Sequence, residues 1–330
     1  MGEPKLKFAL TGCGYIGKRY ITILSQHPQC ALSAIIDTDC SRLSEYKHLD
    51  ISLFHSIEDY FSSNTETDAV IIATPNGMHG SLAIASLKQN KHVLIEKPMA
   101  LKRSEAEAII QTAKDQNKKA MVVLQNRFSP VSIWLKKLVE SKRLGKIFFV
   151  EVNCFWNRDE RYYKKESWHG TKEMDGGSLF TQFSHFIDMA YWLFGDIKNI
   201  RSRFANFSHQ HLTQFEDTGS IHFEFEQGGM GCVNFSTAAW DKSFESSLTI
   251  IAENGSIKIS GQYMNRIDCC HVKDYHLPVE LESTDSLNDN NHYKMIDAFV
   301  GAVMENNPAN AEEAFHCVDI IERMYAAQIY

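Results

Sequence analysis

The sequence contains no run of about 18 consecutive apolar residues, the length a membrane-spanning helix needs, so no membrane partner is expected. It also lacks a basic excess: Lys and Arg number 34 against 41 Asp and Glu, a net charge of −7. Neutralising the phosphates of a nucleic acid takes a basic surface, so a general nucleic-acid binder is disfavoured, although a few local cations suffice for a small anionic ligand. The eight cysteines, Cys13, Cys30, Cys40, Cys154, Cys232, Cys269, Cys270 and Cys317, include no Cys-x-x-Cys pair. Adjacent Cys269 and Cys270 cannot form the usual zinc knuckle, and no metal is expected. Free thiols suit a reducing compartment, and Met1–Leu10 run into a strand pattern without an apolar leader, so the cytoplasm is the expected location. Internal repeats and low-complexity tracts are absent too.

What is present is an ordinary globular balance, 44% apolar and 23% charged residues over 330 positions, enough for two cores. Up to about Leu124, short β-rich runs alternate with helical ones. Leu6–Thr11, Ala31–Asp37, Ile51–Phe54, Ala69–Ala73, His92–Glu96 and Ala120–Leu124 read as strands. Tyr15–Ser25, Ile57–Ser62, Ser81–Lys88 and Ser104–Asp115 read as helices, the last with Ser104 as its N-cap. Several of the strands are continuous apolar runs, as a parallel sheet covered on both faces requires.

After Leu124 the character changes. A helix over Pro130–Leu144 leads into long β-rich runs at Ile147–Trp156, Ser220–Phe225, Gly231–Ser236, Leu248–Ala252 and Ser256–Ile259, with one amphipathic helix over Ser178–Phe194. Met295–Val303 and Ala311–Tyr325 read as closing helices. The expected fold class is α/β: a Rossmann dinucleotide-binding domain over 1–127, then an α+β domain with a mostly antiparallel sheet over 128–330.

Four motifs carry chemistry. Gly12-Cys13-Gly14-Tyr15-Ile16-Gly17 lies between a strand and a helix, where glycines permit a tight turn and the helix N-terminus faces a pyrophosphate. Asp37 ends the next strand about 20 residues on, placed to bind ribose hydroxyls and repel a 2′-phosphate, so NAD is favoured; nearby Arg42 keeps some NADP use open. Thr74-Pro75-Asn76, with His79 a turn later, follows the Ala69–Ala73 strand at the end where such sheets bind ligands; a plain N-capping turn is the alternative. Glu96-Lys97-Pro98 ends the next strand, and a lysine there is a cation whose pKa falls readily on desolvation. The helix entered through Gly176-Gly177 carries Thr181, His185 and Asp188 at spacings of four and three, which would place them on one face. Asp188 alternatively only orients its neighbours.

Together these residues resemble the glucose–fructose oxidoreductase, inositol dehydrogenase and rhizopine-catabolism family (Gfo/Idh/MocA), over nearly the whole chain. The resemblance implies a Rossmann domain followed by an open-faced sheet domain that often builds homodimers or homotetramers. It implies that Lys97 points at the substrate, often through a cis Lys-Pro bond, and that His185 is an acid/base group. Many members carry Asp four residues before that His, where this chain has Thr181, so a simple Asp–His–Lys arrangement does not carry over. Members acting on sugar nucleotides also tend to lack that Asp.

Trp156-Asn157-Arg158, Tyr162-Tyr163, Trp168-His169-Gly170-Thr171 and Asp175-Gly176-Gly177, with Gln125-Asn126-Arg127, narrow the resemblance to the UDP-N-acetylglucosaminuronate 3-dehydrogenases of bacterial surface-polysaccharide (lipopolysaccharide) biosynthesis. His169 departs from the Arg more often found there.

The resulting expectation is NAD-dependent oxidation of a secondary hydroxyl on a sugar nucleotide, with 2-oxoglutarate as a candidate hydride acceptor. Lys97 and His185 are the catalytic pair. Gly12, Gly14, Tyr15, Ile16, Gly17, Asp37, Thr74, Asn76, His79, Glu96, Lys97 and Trp168 are expected at the cofactor. Lys97, Arg127, Arg158, Tyr163, Lys164, Lys172, Thr181, Gln182 and His185 are expected at the substrate, whose anionic groups the Arg and Lys residues would hold. Arg158, Arg161, Lys164 and Lys165 read equally as a solvated loop, and Tyr162, Tyr163 and Trp168 equally as sheet-domain core. An inositol or free-sugar dehydrogenase of the same family, or a non-catalytic NAD-dependent sensor, are the alternatives.

Overall fold

A computed structural model describes residues 5–165, 167–281 and 290–329. The chain divides into two units. The first holds the residues up to Val123 and His292–Phe315; the second holds Leu124–Asn291 and the residues from His316 on.

In the first unit strands and helices alternate: β1 (Leu6–Thr11), α1 (Tyr15–Gln26), β2 (Cys30–Ile36), α2 (Cys40–Ser44), β3 (Ser52–Phe54), α3 (Ile57–Ser62), β4 (Ala69–Ile72), α4 (His79–Lys88), β5 (His92–Ile95), α5 (Arg103–Asp115) and β6 (Ala120–Val122). The six strands form one sheet in the order β3-β2-β1-β4-β5-β6, every pair parallel. All four residues of β4 are buried, which is why it reads as an unbroken apolar run. The chain leaves β1 outward to β2 and returns to β4 on the other side. The loops after β1 and β4 therefore diverge and open a crevice at their carboxyl ends, where such sheets bind dinucleotides.

The second unit follows with α6 (Pro130–Glu140), β7 (Ile147–Phe155), α7 (Ser184–Phe194), β8 (Ile197–Ala205), β9 (Thr218–Phe225), β10 (Met230–Ser236), β11 (Glu245–Ala252), β12 (Gly255–Ser260) and β13 (Arg266–Val272). Its seven strands run β13-β12-β11-β7-β10-β9-β8, antiparallel except for β7 against β10. Along β7, Val150, Val152 and Cys154 are buried while their neighbours are partly exposed, the alternation of a sheet covered on one face. β8 and β13 were not anticipated. Both are edge strands, β8 is interrupted by Lys198, Asn199, Arg201 and Arg203, and neither offers an apolar run.

Two helices, α8 (Asn291–Met304) and α9 (Ala311–Ala326), end the described chain. The expected split placed all of 128–330 in the second domain, but α8 belongs to the first unit. Met295, Ile296 and Phe299 are buried there, the Phe299 ring lies 5.8 Å from that of Phe8 in β1, and His27 Nε2 is 2.8 Å from Asp297. Ser104 is not an N-cap either: α5 begins one residue earlier, and Lys102 holds that position without a side-chain hydrogen bond. The helix expected over Ser178–Phe194 is continuous, but its first turns, Leu179–Phe183, are wound as a π-helix before α7 starts. Among the described residues no helix is long and apolar enough to cross a membrane.

Candidate active site

In the first unit the glycine loop links β1 to α1. Gly12 has φ +88°, and a Cβ there would lie 2.5 Å from the Ala73 carbonyl oxygen, so the β1 and β4 loops approach closely only because no side chain intervenes. Gly17 has the same constraint against Gly12. Gly14 is the N-cap of α1 and supplies no side-chain cap, which leaves the first-turn amides for a bound anion. Tyr15 is exposed and Ile16 partly so, both on that first turn. Asp37, at the end of β2, accepts from the Cys13 amide at 2.8 Å and the Asp39 amide at 2.9 Å, while Arg42 Nη1 lies 3.5 Å away. Thr74 has a buried hydroxyl with no hydrogen-bond partner among the described residues, a spare polar group where the two loops diverge. These features fit a dinucleotide: a turn without side chains, helix amides and an acidic residue at the neighbouring strand end.

The Lys97–Pro98 peptide is cis and Lys97 is half-buried. Glu96 is buried; it accepts from the Tyr20 hydroxyl at 2.5 Å and the Lys97 amide at 3.2 Å, and burial pushes its carboxyl pKa up. His79 spans the loops after β4 and β5, with Nδ1 2.7 Å from the Pro98 carbonyl and Nε2 2.9 Å from that of Thr74. It is 1% exposed and burial lowers its pKa. With a backbone carbonyl from each loop beside its two ring nitrogens, His79 ties the loops together. Asn76, in the turn between them, is also buried.

In the second unit His185 lies on the first turn of α7, 8% exposed, with Nε2 2.8 Å from the amide nitrogen of Gln125. Asp188, one turn on, holds Arg127 through two contacts, Nε–Oδ2 at 2.9 Å and Nη2–Oδ1 at 2.7 Å, and the guanidinium also lies over the Trp192 ring. Arg127 was expected at the substrate. The carboxylate that satisfies it is internal, so its charge is already neutralised within the fold. Thr181 falls in the π turn that precedes α7, and its hydroxyl donates to the carbonyl and the carboxylate of buried Asp175. Asp175 and Gln125 were missed as site residues, although both lie in segments that carry the resemblance.

Arg158 differs from Arg127. Its Nε donates to Gln182 at 2.8 Å and its Nη1 to the Asn157 carbonyl at 2.8 Å, while its plane lies over the rings of Trp156 and Tyr162. No carboxylate pairs with it among the described residues, and burial lowers its pKa. Gln182 also donates to the Tyr162 hydroxyl, which is 3.2 Å from His169 Nδ1; burial pushes that phenol up to about 12.

The remaining expected contacts separate. Tyr163 is only 3% exposed, packed against His209 and Phe215, so it belongs to the core and is not free to meet a substrate. Lys164 and Lys172 are exposed loop residues. The rings of Trp168 and His169 lie with centroids 3.8 Å apart, tilted by 34°.

Comparison with known proteins adds the context. Residues 6–124 match the oxidoreductase family with an NAD-binding Rossmann fold, and residues 133–258 match the GFO/IDH/MocA C-terminal domain. The structure is similar to the WlbA dehydrogenase of Chromobacterium violaceum, solved with NADH and UDP-GlcNAcA, with a TM-score of 0.92 and 28% identity over 99% of this chain and 94% of that one. It is equally similar to the WlbA dehydrogenase of Bordetella pertussis, solved with the same two molecules: TM-score 0.93 and 28% identity over 99% and 96% of the two chains. An uncharacterized oxidoreductase of Synechocystis is 27% identical over 62% of this chain, and the match spans only 55% of that relative. A scyllo-inositol 2-dehydrogenase of Bacillus subtilis is 26% identical over 60% of this chain and 61% of its own length.

Proposed function

The chain belongs to the Gfo/Idh/MocA family of NAD-dependent oxidoreductases, and from that premise we propose that it oxidises a secondary hydroxyl of a sugar nucleotide, C3 of UDP-N-acetylglucosaminuronate, in bacterial surface-polysaccharide biosynthesis. One observation carries the choice of an anionic substrate. Arg158 is a partly desolvated guanidinium 4.7 Å from the Trp156 ring centroid and 5.0 Å from that of Tyr162, with no carboxylate of its own among the described residues. A cation kept in that state costs free energy unless a ligand anion completes it. Likeness over nearly the full chain to two dehydrogenases solved with UDP-GlcNAcA supports the same reading.

In this reading the glycine turn after β1 and Asp37 would hold NAD, which would supply the hydride acceptor for the carbinol carbon. The chain's own residues handle the proton and the position. His185, whose ring Gln125 steadies, accepts the hydroxyl proton as the carbonyl forms, since an imidazole titrates near neutrality. Lys97 donates to the hydroxyl oxygen and stabilises its developing negative charge. Asp188 and Arg127 brace the α7 segment from beneath.

The test is absorbance at 340 nm with NAD and UDP-N-acetylglucosaminuronate, with and without 2-oxoglutarate, against myo-inositol and free glucuronate. A rise with the nucleotide sugar alone supports the proposal, and loss of that rise with 2-oxoglutarate identifies the hydride acceptor. Oxidation of a free polyol with none of the nucleotide sugar would replace the proposal by the polyol reading.

A further inference from the structure

The second unit contains a cavity of about 500 Å³ at the β11–β13 end of its sheet, within the range of about 300–1,000 Å³ typical of small-molecule sites. Three cations line it, and their state differs. Lys258 lies 3.5 Å from Glu245, and Arg266 lies 2.7 Å from Asp268, so each has an acid partner. Arg158 has none among the described residues, and the two rings that hold it also fix its direction. The wall beside it is rich in hydroxyls, with Ser246, Ser247 and Ser260 among the lining residues and the Gln262 amide next to them. At the rim, Phe244 stacks on Phe155 with centroids 5.6 Å apart and interplanar angle 24°, yet remains 71% exposed. Its outer side is a bare aromatic surface.

The cavity is also tied to the residues around His185. Arg158 donates to Gln182, three positions before His185, and Gln262 accepts at 3.4 Å from Asn126, the neighbour of the Gln125 that holds the His185 ring. A neutral monosaccharide carries neither a strong anion for Arg158 nor a flat ring for Phe244, and a free uronate carries the anion without the ring. A nucleoside diphosphate carries both, together with ribose hydroxyls for the serine wall.

We infer that this cavity holds the nucleoside-diphosphate half of the substrate, with Arg158 paired to diphosphate oxygens and the base lying on Phe244. The assignment rests on the sugar-nucleotide reading above and goes beyond it. It gives Arg158 to the diphosphate and not to the uronate carboxylate, and it makes the nucleotide half a binding determinant in its own right. An arginine paired with phosphate through two N–H groups gains strength and direction, and an aromatic face accepts any base by stacking.

Calorimetric titration of the NADH-loaded protein with UDP, UDP-N-acetylglucosamine and glucuronate tests it. The wild type is expected to bind UDP and UDP-N-acetylglucosamine, neither of which has a carboxylate. Arg158→Met should weaken both by about ten- to a hundredfold. Phe244→Ala, an exposed position where folding is not at stake, should weaken both by a smaller factor. Retained NADH affinity in both variants shows that they are folded. UDP affinity unchanged in both variants overturns the assignment. So does a loss confined to UDP-N-acetylglucosaminuronate, which would give Arg158 the sugar carboxylate instead. Turnover of UDP-N-acetylglucosaminuronate by the wild type is scored separately. If it persists while UDP binding ignores both substitutions, the cavity assignment falls and the proposed function stands. If no nucleotide sugar binds or reacts, both fall.

Discussion

Arg127 and Asp188, 61 residues apart in sequence, are joined in the interior of the second unit by two parallel contacts at 2.9 and 2.7 Å. The pair links the turn that carries Gln125 to the helix that carries His185, so an ion pair sets where the imidazole sits. Removing one partner strands a buried charge, which typically costs about 3–5 kcal/mol, whereas replacing both by apolar groups is often neutral. Asp188→Ala is therefore expected to lower the denaturant midpoint sharply, and Arg127→Met with Asp188→Leu to recover most of it. If the single and double variants are equally unstable, the pair is not what holds these segments together.

Lys97 and His185 are expected to fail differently from Arg158. Under the proposed roles of the two residues at the reacting hydroxyl, Lys97→Ala and His185→Ala should each lower turnover by about 100-fold or more, with NADH binding retained. Arg158→Met should act mainly on KM for the nucleotide sugar, since binding used equally in ground and transition states sets KM. Near-normal kcat in both the Lys97 and His185 variants would remove them from the catalytic step.

Which of these features the sequence exposed follows from the range of the interactions. The glycine turn, the apolar strands and Glu96-Lys97-Pro98 are local signals, so β1, β4 and β5 and the loops after them were legible. The partner of Arg127 is 61 residues away, and nothing local distinguishes an arginine that meets an internal carboxylate from one that waits for a substrate. Thr181 was read on a regular helix, and it lies in a π turn at Leu179–Phe183 that no spacing pattern announces. Tyr163 and Tyr162 are adjacent and alike in sequence. Only packing decides that Tyr163 enters the core beside His209 while Tyr162 lies over Arg158. β8 and β13 escaped notice because edge strands bury few side chains. The helix at Met295–Val303 was expected, but its apolar stripe does not say which sheet it covers, so α8 was assigned to the second domain.

Asp37 gives a prediction about cofactor choice. Its carboxylate accepts the Cys13 and Asp39 amides, and Arg42 waits 3.5 Å away. Asp37→Ser removes the negative charge that repels a 2′-phosphate and leaves Arg42 to receive one. The ratio of kcat/KM for NADP to that for NAD should rise about tenfold or more, the scale of one charged hydrogen bond. The ratio is the proper measure, because loss of the loop contacts lowers both rates together. An unchanged ratio would mean that Asp37 only braces the glycine loop.

Glu216 gives a pH dependence whose sign is fixed. It accepts from the Tyr325 hydroxyl at 2.6 Å and the Ser178 amide at 3.0 Å, beside the turn that opens the His185 segment, and burial raises its pKa from 4.5 to about 7. Between those two values the unfolded chain has released this proton while the folded chain still holds it. The folded state then binds more protons, so this group's contribution to stability falls as pH rises from about 4.5 to about 7 and is level above that. Glu216→Gln keeps an acceptor for the Ser178 amide and cannot ionise. The Tm of the variant relative to the wild type should climb across that window and then run parallel at higher pH. Curves already parallel from pH 5 upward would show that Glu216 ionises in the folded protein as readily as in the unfolded chain.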